Sequence, residues 1–468
     1  MLTTCPAILH GPTLIRELND HWEDPSRANF IWLGLLFAVL GITMLAYHQH
    51  GEPLEYEGLS DSLFRLYRTR TAQCLLRGDI SRCLPYTVET LRLNALAELN
   101  RKDDSRRALY ITTGVIVRAA INMGYHRDPS HSSNLSVLQA EYRRRVWSSV
   151  ISMDSMASFH VGFPRMISKS CSDTAEPRNL HDWELSEDTE ELPTSRVIAE
   201  ATPVTYLIVK GRFLNTLSRV TDFNSDLHLG SYDTVVDIDH ALQHELDSIP
   251  SHMNVILDNS NIIPRAPADF LWYPNLQLVA YYHVGMCNLH KQFMVRVRED
   301  ERFRLSRERC VSSAVSLMSF QWDLHPSFYH YASARQTFAL APMLLFLELE
   351  LRKKDTNKIP LPESAYLLQI IEQAVARWEE ATRFCDETRK IYHLLRRMLA
   401  GYQASSNEPS GSLQATLPEE IFKENFPGLS FDTFDGGPLF DSGTTDTAFD
   451  WATWDTFIAG SDLGGPMY

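Results

Sequence analysis

The sequence predicts an all-α protein: a large multi-helix domain followed by a disordered acidic–aromatic C-terminal tail. Three observations carry that expectation. Apolar residues recur at three- and four-residue steps through residues 30–400. Strand-like alternation between turn signals is hard to find, and no glycine-rich loop or internal repeat interrupts the helical pattern. From Glu424 onward the pattern stops, and acids and aromatics alternate without a single Lys or Arg.

Taken in order, the first strong element is Phe30 to Tyr47, eighteen residues without a charge. Its length fits a membrane span. Its flanks do not: Arg27 precedes it and His48, His50 and Glu52 follow, so neither side carries a basic bias. Glu17, Asp20, Glu23 and Asp24 ahead of the run also argue against a secretory signal. The segment reads as a buried core helix, and no membrane partner is expected. Helical stretches follow at 57–75 and 86–100. From Leu109, the positions Val115, Ile116, Ala119, Ala120 and Met123 share one face until Gly124 supplies a stop. From Tyr142 the stripe runs Val146, Val150, Met153, Ala157. Further stretches are predicted at 200–221, 233–248, 274–298, 307–320, 333–353 and 363–400. Polar breaks fall at Asp128–Asn134, at Ser172–Ser195 and from about Gln403. The organisation expected is a lead-in over 1–29, a helical domain over 30–400, a linker over 401–423 and the tail over 424–468.

Composition narrows the function. Of 468 residues, 44% are apolar and 22% charged, enough for a large core. Lys plus Arg total 44 against 59 Asp plus Glu, a formal −15, so attraction of the whole chain to nucleic acid is not expected. The seven cysteines, Cys5, Cys74, Cys83, Cys171, Cys287, Cys310 and Cys385, are scattered. No two lie within four residues of each other, so no zinc finger or zinc cluster can be drawn. The expectation is free, mostly buried thiols in a reducing compartment.

Enzyme patterns fail on inspection. His126-Arg127-Asp128 spells the start of a kinase catalytic loop, but the glycine-rich loop and strand lysine are missing, and the nearest metal motif is Asp222-Phe223-Asn224. His240 and His244 have the spacing of a metal pair, yet Gln243 stands where a catalytic glutamate is needed, which favours a solvated face. His283 and His290 share a face and are expected in or near the core. No Gly-x-Ser-x-Gly elbow anchors a hydrolase triad. No catalytic residue, metal or cofactor is assigned. Glu141 to Asp154, EYRRRVWSSVISMD, says more. Arg143, Arg144 and Arg145 point around most of a helix, so at least one approaches the packed side. Asp154 falls beside the apolar stripe, where a bare carboxylate is disfavoured, so an ion pair or hydrogen-bonded cap is expected there.

These stretches together carry a resemblance. Ala119 to Pro129, with Gly124, His126, Arg127 and Asp128, resembles a helix-end motif of the regulatory (middle homology) domain of fungal zinc-cluster transcription factors. Glu141 to Trp147 resembles its Glu-x-Arg-Arg-Arg-x-Trp element, with Arg144 and Trp147, and Asp154 stands at its aspartate seven residues on. Gly162-Phe163-Pro164 resembles its Gly-x-Pro turn, and Pro177, Asn179 and Asp182 its Pro-x-Asn-x-x-Asp segment. Leu33–Leu40, Thr87–Leu91, Leu246–Pro250 and Tyr281–Phe293 fit its helices, so the likeness spans about 15–400. The resemblance implies a nuclear transcription regulator of a fungal gene set, such as a metabolic or biosynthetic cluster. It also implies coactivator partners, dimerisation with itself or a related regulator, and a small-molecule effector. Such proteins place a six-cysteine cluster ahead of this domain; here the domain begins almost at Met1, so direct DNA binding is not expected of this chain. The alternative is a finger-less ligand-sensing or dominant-negative partner of full-length regulators.

The tail adds its own chemistry. Residues 424–468 hold seven aspartates and Glu424, interleaved with Phe431, Phe434, Phe440, Phe449, Trp451, Trp454 and Phe457. Acidic spacing keeps such rings solvated and ready for a hydrophobic groove, the pattern of an activation segment.

Overall fold

Helices account for every regular element longer than four residues among the described residues of the computed structural model, and no strand occurs there. Those residues are 7–100, 106–132, 134–168, 171–226, 230–253, 272–298, 300–323, 329, 332–354 and 361–406. The all-α expectation therefore holds. The tail candidates Phe431, Phe434, Phe440, Phe449, Trp451, Trp454 and Phe457, and most of the linker, lie outside the described residues.

In chain order the helices are α1 (Gly11–Glu23), α2 (Phe30–His50), α3 (Ser60–Arg77), α4 (Thr87–Leu99), α5 (Arg106–Asn122), α6 (Val137–Val161) and α7 (Thr205–Ser225). They continue as α8 (Tyr232–Asp247), α9 (Trp272–Met294), α10 (Arg304–Asp323), α11 (Ala332–Lys354), α12 (Ser364–Ala381) and α13 (Asp386–Ser406). Each helix from α2 onward packs on its successor, and α2, α4, α7, α9, α10 and α11 also meet the helix two places on, so the chain grows as a run of sequential neighbours.

Three apolar cores are the largest among the described residues. The first, under α2 to α6, contains Ile31, Leu35, Val88, Ile116, Trp147 and Val150. The second joins α7, α8 and α9 through Phe213, Leu217, Ile238, Leu242 and Met286. The third and largest lies among α9 to α13, around Cys310, Leu317, Leu345, Ile371, Trp378 and Leu395. Helix α9 is the wall between the last two: Tyr281, Met286 and Leu289 face one core, Ala280, Val284 and Cys287 the other. A helix apolar on two sides has to be covered on both.

Helix α2 shows how the apolar run at Phe30–Tyr47 is used. By length and composition it could cross a membrane. Here it packs against α3 and α4, burying Ile31, Trp32, Leu35, Ala38, Ile42, Met44 and Leu45. Asn29 caps it by accepting from the Trp32 amide at 3.0 Å, and Trp32 Nε1 donates to Glu17 Oε2 at 2.9 Å, tying α1 to α2.

Several boundaries differ from the sequence reading. Gly11–Glu23 is a helix within the expected lead-in; Pro12 in its first turn favours that start. Phe30 is 45% exposed because it is the first helical residue, ahead of the packed turns. Val115, expected on the buried face, is 42% exposed, since the burial centres on Ile116 and Ala120. The stretch 363–400 is two helices. They part at Thr382–Cys385, where Thr388 Oγ1 donates to the Ala381 carbonyl at 2.8 Å and stabilises the turn without Gly or Pro. Among the described cysteines, Cys74, Cys287, Cys310 and Cys385 are buried, Cys83 is half-buried and Cys171 is exposed.

Candidate functional site: a loop clamp on helix α6

The residues singled out by the sequence converge on the first half of α6. Ser136 starts the helix with a reciprocal cap: its hydroxyl accepts from the Gln139 amide and the Gln139 side chain accepts from the Ser136 amide. Five consecutive side chains then radiate to different neighbours. Glu141, fully buried, accepts from the Arg178 amide at 2.8 Å. Tyr142 donates to Asp182 Oδ1 at 2.9 Å. Arg143 stacks over the Tyr125 ring and donates to the Met123 carbonyl at the end of α5. Arg144 grips Asp128 with two bonds of 3.0 and 2.8 Å. Arg145, with no solvent exposure, donates to Asp182 Oδ1 at 3.0 Å and to the Tyr142 hydroxyl at 2.8 Å. Trp147 closes the set, its Nε1 donating to Ser172 Oγ at 2.8 Å.

Two loops are held by these contacts, and they hold each other. The loop after α5 begins at Gly124, whose φ of +77° lets the Tyr125 amide reach back to the Ala120 carbonyl and the Gly124 amide to Ile121. Asp128 in this loop accepts from the Ala175 amide as well as from Arg144, and the Asp128 amide donates to Asp173. Arg127 pairs with Asp173 at 2.9 Å on the surface. The His126 carbonyl accepts from the Asp173 amide, and its ring sits beside Trp147. The second loop ends at Asp182, which also accepts from the Gly11 amide and so fixes the start of α1. Asn179, fully buried, bonds Val197, Glu200, Thr202 and Thr205 at the entry to α7.

The far end of α6 is clamped in the same manner. Gly162, φ +71°, ends the helix and turns the chain into Phe163-Pro164. The Pro164 carbonyl accepts from Tyr110 of α5 at 2.8 Å. Asp154, 1% exposed, accepts from the Met166 and Ile167 amides, which is the capped carboxylate expected beside the apolar stripe.

Charge follows geometry. The two bonds from Arg144 hold the Asp128 carboxyl well below the usual carboxylate range, and Asp128 raises Arg144 in return. Burial raises Glu141 and Asp154, opposed by Arg145 in the first case and by the Ile167 and Met166 amides in the second. For Asp182 burial acts upward, but Arg145, the Gly11 amide and Tyr142 outweigh it. A shallow cleft of about 580 Å³ runs along Gly124, Arg127, Asp128, Pro129, His131 and Arg143. Nothing in it is placed as a nucleophile, because its charged groups are engaged in holding the loops.

Sequence reasoning missed three polar groups. Arg145 was not distinguished from its two neighbours. Ser306, His290 and Asp239 line up at 2.9 and 3.1 Å in the order of a hydrolase triad. All three are buried, and Arg309 takes both oxygens of Asp239, so this set fastens α8, α9 and α10 together. Arg307 and Glu348, both buried on facing helices, form the third group. His240 and His244 are exposed, as a solvated face requires, while His290 is fully buried and His283 partly so; burial pushes His283 down to about 4. Among the described residues no group of three His, Cys, Asp or Glu could hold a metal.

Residues 5–259, which include α1 to α8 and the whole clamp, match the fungal specific transcription factor domain. The chain belongs to that family. Among similar proteins, the Zn(2)-C6 fungal-type transcription factor pigI of Monascus ruber is 34% identical over 389 residues, 79% of this chain and 46% of that protein. The Zn(2)-C6 fungal-type transcription factor mpsB of Macrophomina phaseolina is 29% identical over 436 residues, 89% of this chain and 58% of that protein. The Equisetin cluster transcription factor eqxF of Fusarium heterosporum is 30% identical over 441 residues, 88% of this chain and 62% of that protein. The chain therefore spans about half to two thirds of the length of these relatives. No solved structure matches it.

Proposed function

We propose that this protein regulates transcription of a fungal biosynthetic gene cluster, working in the nucleus through its helical domain and its acidic–aromatic tail. The observation that carries the reading is the family match together with relatives that are named as cluster regulators. In this reading the motif residues Gly124, His126, Arg127, Asp128, Arg144, Trp147, Asp154, Gly162 and Pro164 keep the regulatory body rigid. Phe431, Phe434, Phe440, Phe449, Trp451, Trp454 and Phe457 dock on coactivators. In the sequence, Trp451, Trp454 and Phe457 follow at three-residue steps, so a helix formed on binding brings them near one face. The experiment is to fuse the full chain to an unrelated DNA-binding domain and read a reporter. Strong output that disappears when the three rings become Ala, with charge unchanged, supports the reading. A silent fusion, or one indifferent to the three substitutions, refutes it.

One observation favours a second reading. The chain has no cysteine pair, and its formal charge is −15. A chain of this make-up would reach promoters by pairing with a related full-length zinc-cluster regulator, and as a partner it can also restrain that regulator. On its own it should give no sequence-specific gel shift at physiological salt. A nanomolar shift that survives competitor DNA would exclude this reading.

A further inference from the structure

Helix α5 is apolar on two sides, and only one of them is covered. Its inner side packs on α4 and α6 through Leu109, Ile116, Val117 and Ala120. Its outer side shows Ile111, which is 70% exposed, with Val115 a turn further on and Ile121 beyond it, both also exposed. The turn after α6 widens this surface. Phe163 sets its ring 5.3 Å from that of Tyr110, and Gly114 leaves room for Met166, whose Sδ would stand 3.3 Å from a Cβ placed there. Phe163 and Met166 are themselves exposed, so Ile111, Val115, Phe163 and Met166 share one apolar patch. Such a patch on a folded domain marks a contact site. Its charge narrows the partner. Arg118, three residues after Val115 on the same face, is exposed and makes no ion pair among the described residues. Neighbouring surface arginines are paired, Arg127 with Asp173 and Arg165 with Asp222. Past Ile121, the Asn122 side chain donates to Cys83 Sγ at 3.1 Å, so Arg82, exposed and also outside any ion pair among the described residues, borders that end of the face.

An apolar face carrying unpaired cations fits a segment of rings flanked by acids, and the chain itself contains one. Residues 424–468 hold seven aspartates and Glu424 with no Lys or Arg, and Asp450 and Asp455 stand beside Trp451, Trp454 and Phe457. The described chain ends at Ser406 on α13. Roughly forty residues lie between there and Phe449, and fully extended they span on the order of 140 Å, more than the breadth of a domain of this size. Tethering also lets a contact of low intrinsic affinity be populated. A second copy is a poorer occupant, because pairing this face with itself sets arginine against arginine. We infer that the α5 patch is the docking site of the chain's own 449–457 segment, its three rings lying on Ile111, Val115, Phe163 and Met166 and its aspartates facing Arg118. Docked there, the segment is withheld from coactivators. The inference rests on the reading of the tail as an activation segment only for that consequence.

The experiment is timed chymotrypsin cleavage of the full chain, with mass spectrometry following the cuts at Trp451, Trp454 and Phe457. The proteins are the wild type, the double variant Ile111→Asp/Val115→Asp, and Arg118→Glu. Each substitution replaces an exposed side chain, so melting temperatures should stay within a few degrees of the wild type. Cleavage is expected to be about tenfold faster in the double variant and a few-fold faster in Arg118→Glu, since the rate follows the undocked population. Added salt should weaken the wild-type protection. Should the double variant melt much lower, the contact is read from its other side: Trp451→Ala/Trp454→Ala/Phe457→Ala leaves the helical domain unchanged and should raise binding of the apolar dye ANS severalfold by baring the patch. Wild-type rings cut as fast as those of the double variant, or dye binding unmoved by the triple alanine change, would overturn the site. Protection that grows with protein concentration would place a neighbouring copy's tail on the patch and overturn docking within one chain. In the reporter fusion, the double variant should raise output severalfold. A silent reporter beside a protected tail counts against the activation reading alone, and an active reporter beside an unprotected tail counts against the docking alone.

Discussion

The clamp on α6 and the α10–α13 bundle use the same buried ion pairs for opposite purposes. Around α6, the shortest pairs join the helix to the connections beside it: Arg144 with Asp128, Arg145 with Asp182. In the bundle both partners sit on helices. Arg307 of α10 meets Glu348 of α11 at 2.9 Å, and Arg335 of α11 meets Glu387 of α13 at 2.7 Å. Long connections need polar anchors because their backbone groups have few partners of their own. Helices in a dry core already have theirs, so a buried pair there fixes which helix lies beside which. The first arrangement turns irregular chain into rigid structure; the second sets register.

That contrast can be broken at either end. The largest effect is expected for Glu348→Ala, which takes the shared carboxylate from buried Arg307 and from Arg352; roughly 3–5 kcal/mol should be lost in denaturant unfolding. Replacing Arg335 and Glu387 together by Met and Leu should cost far less than either change alone, and an additive loss would show that the two residues act independently and not as a pair. Trp147→Ala should cost roughly 3–5 kcal/mol through lost packing and also free Ser172; an unchanged midpoint would contradict its role in the first core.

The loop side gives smaller, pH-dependent effects. Asp128→Asn removes a charged acceptor from Arg144 and should cost about 2–3 kcal/mol at neutral pH. Because the folded carboxyl of Asp128 is held low, its contribution is complete above the ordinary carboxylate value of 3.8 and is lost as pH falls below it. The gap between wild type and Asp128→Asn should therefore narrow under acid, and a gap that widens would reverse the assignment. Arg127→Ala, which breaks only the exposed pair with Asp173, should cost under about 1 kcal/mol. A larger loss would mean the surface of this loop carries more than the geometry gives it.

The contrast also explains what could be read from sequence. Arg144 and Asp128 are only 16 residues apart, Arg145 and Asp182 lie 37 apart, and Gly124 and Gly162 mark helix ends through their own conformational needs. Their types and order therefore show as motifs. Bundle pairs join residues 41 and 52 apart, and each arginine alone looks like any solvated helix residue. The periodic stripe of Val146, Val150, Met153 and Ala157 gave α6 its buried face directly, whereas the break at Thr382–Cys385 depends on Thr388, a residue with no turn preference. Which of three adjacent arginines is buried follows from where Asp182 lies, and spacing does not encode that.

The central claim, control of a biosynthetic gene set, is tested most directly by transcript profiling of a strain lacking this protein against its parent under producing conditions. Expression of one contiguous set of biosynthetic genes should change sharply and return when the full chain is restored. Transcripts that do not change at any contiguous set, with the protein shown to be present in the parent, would contradict the account.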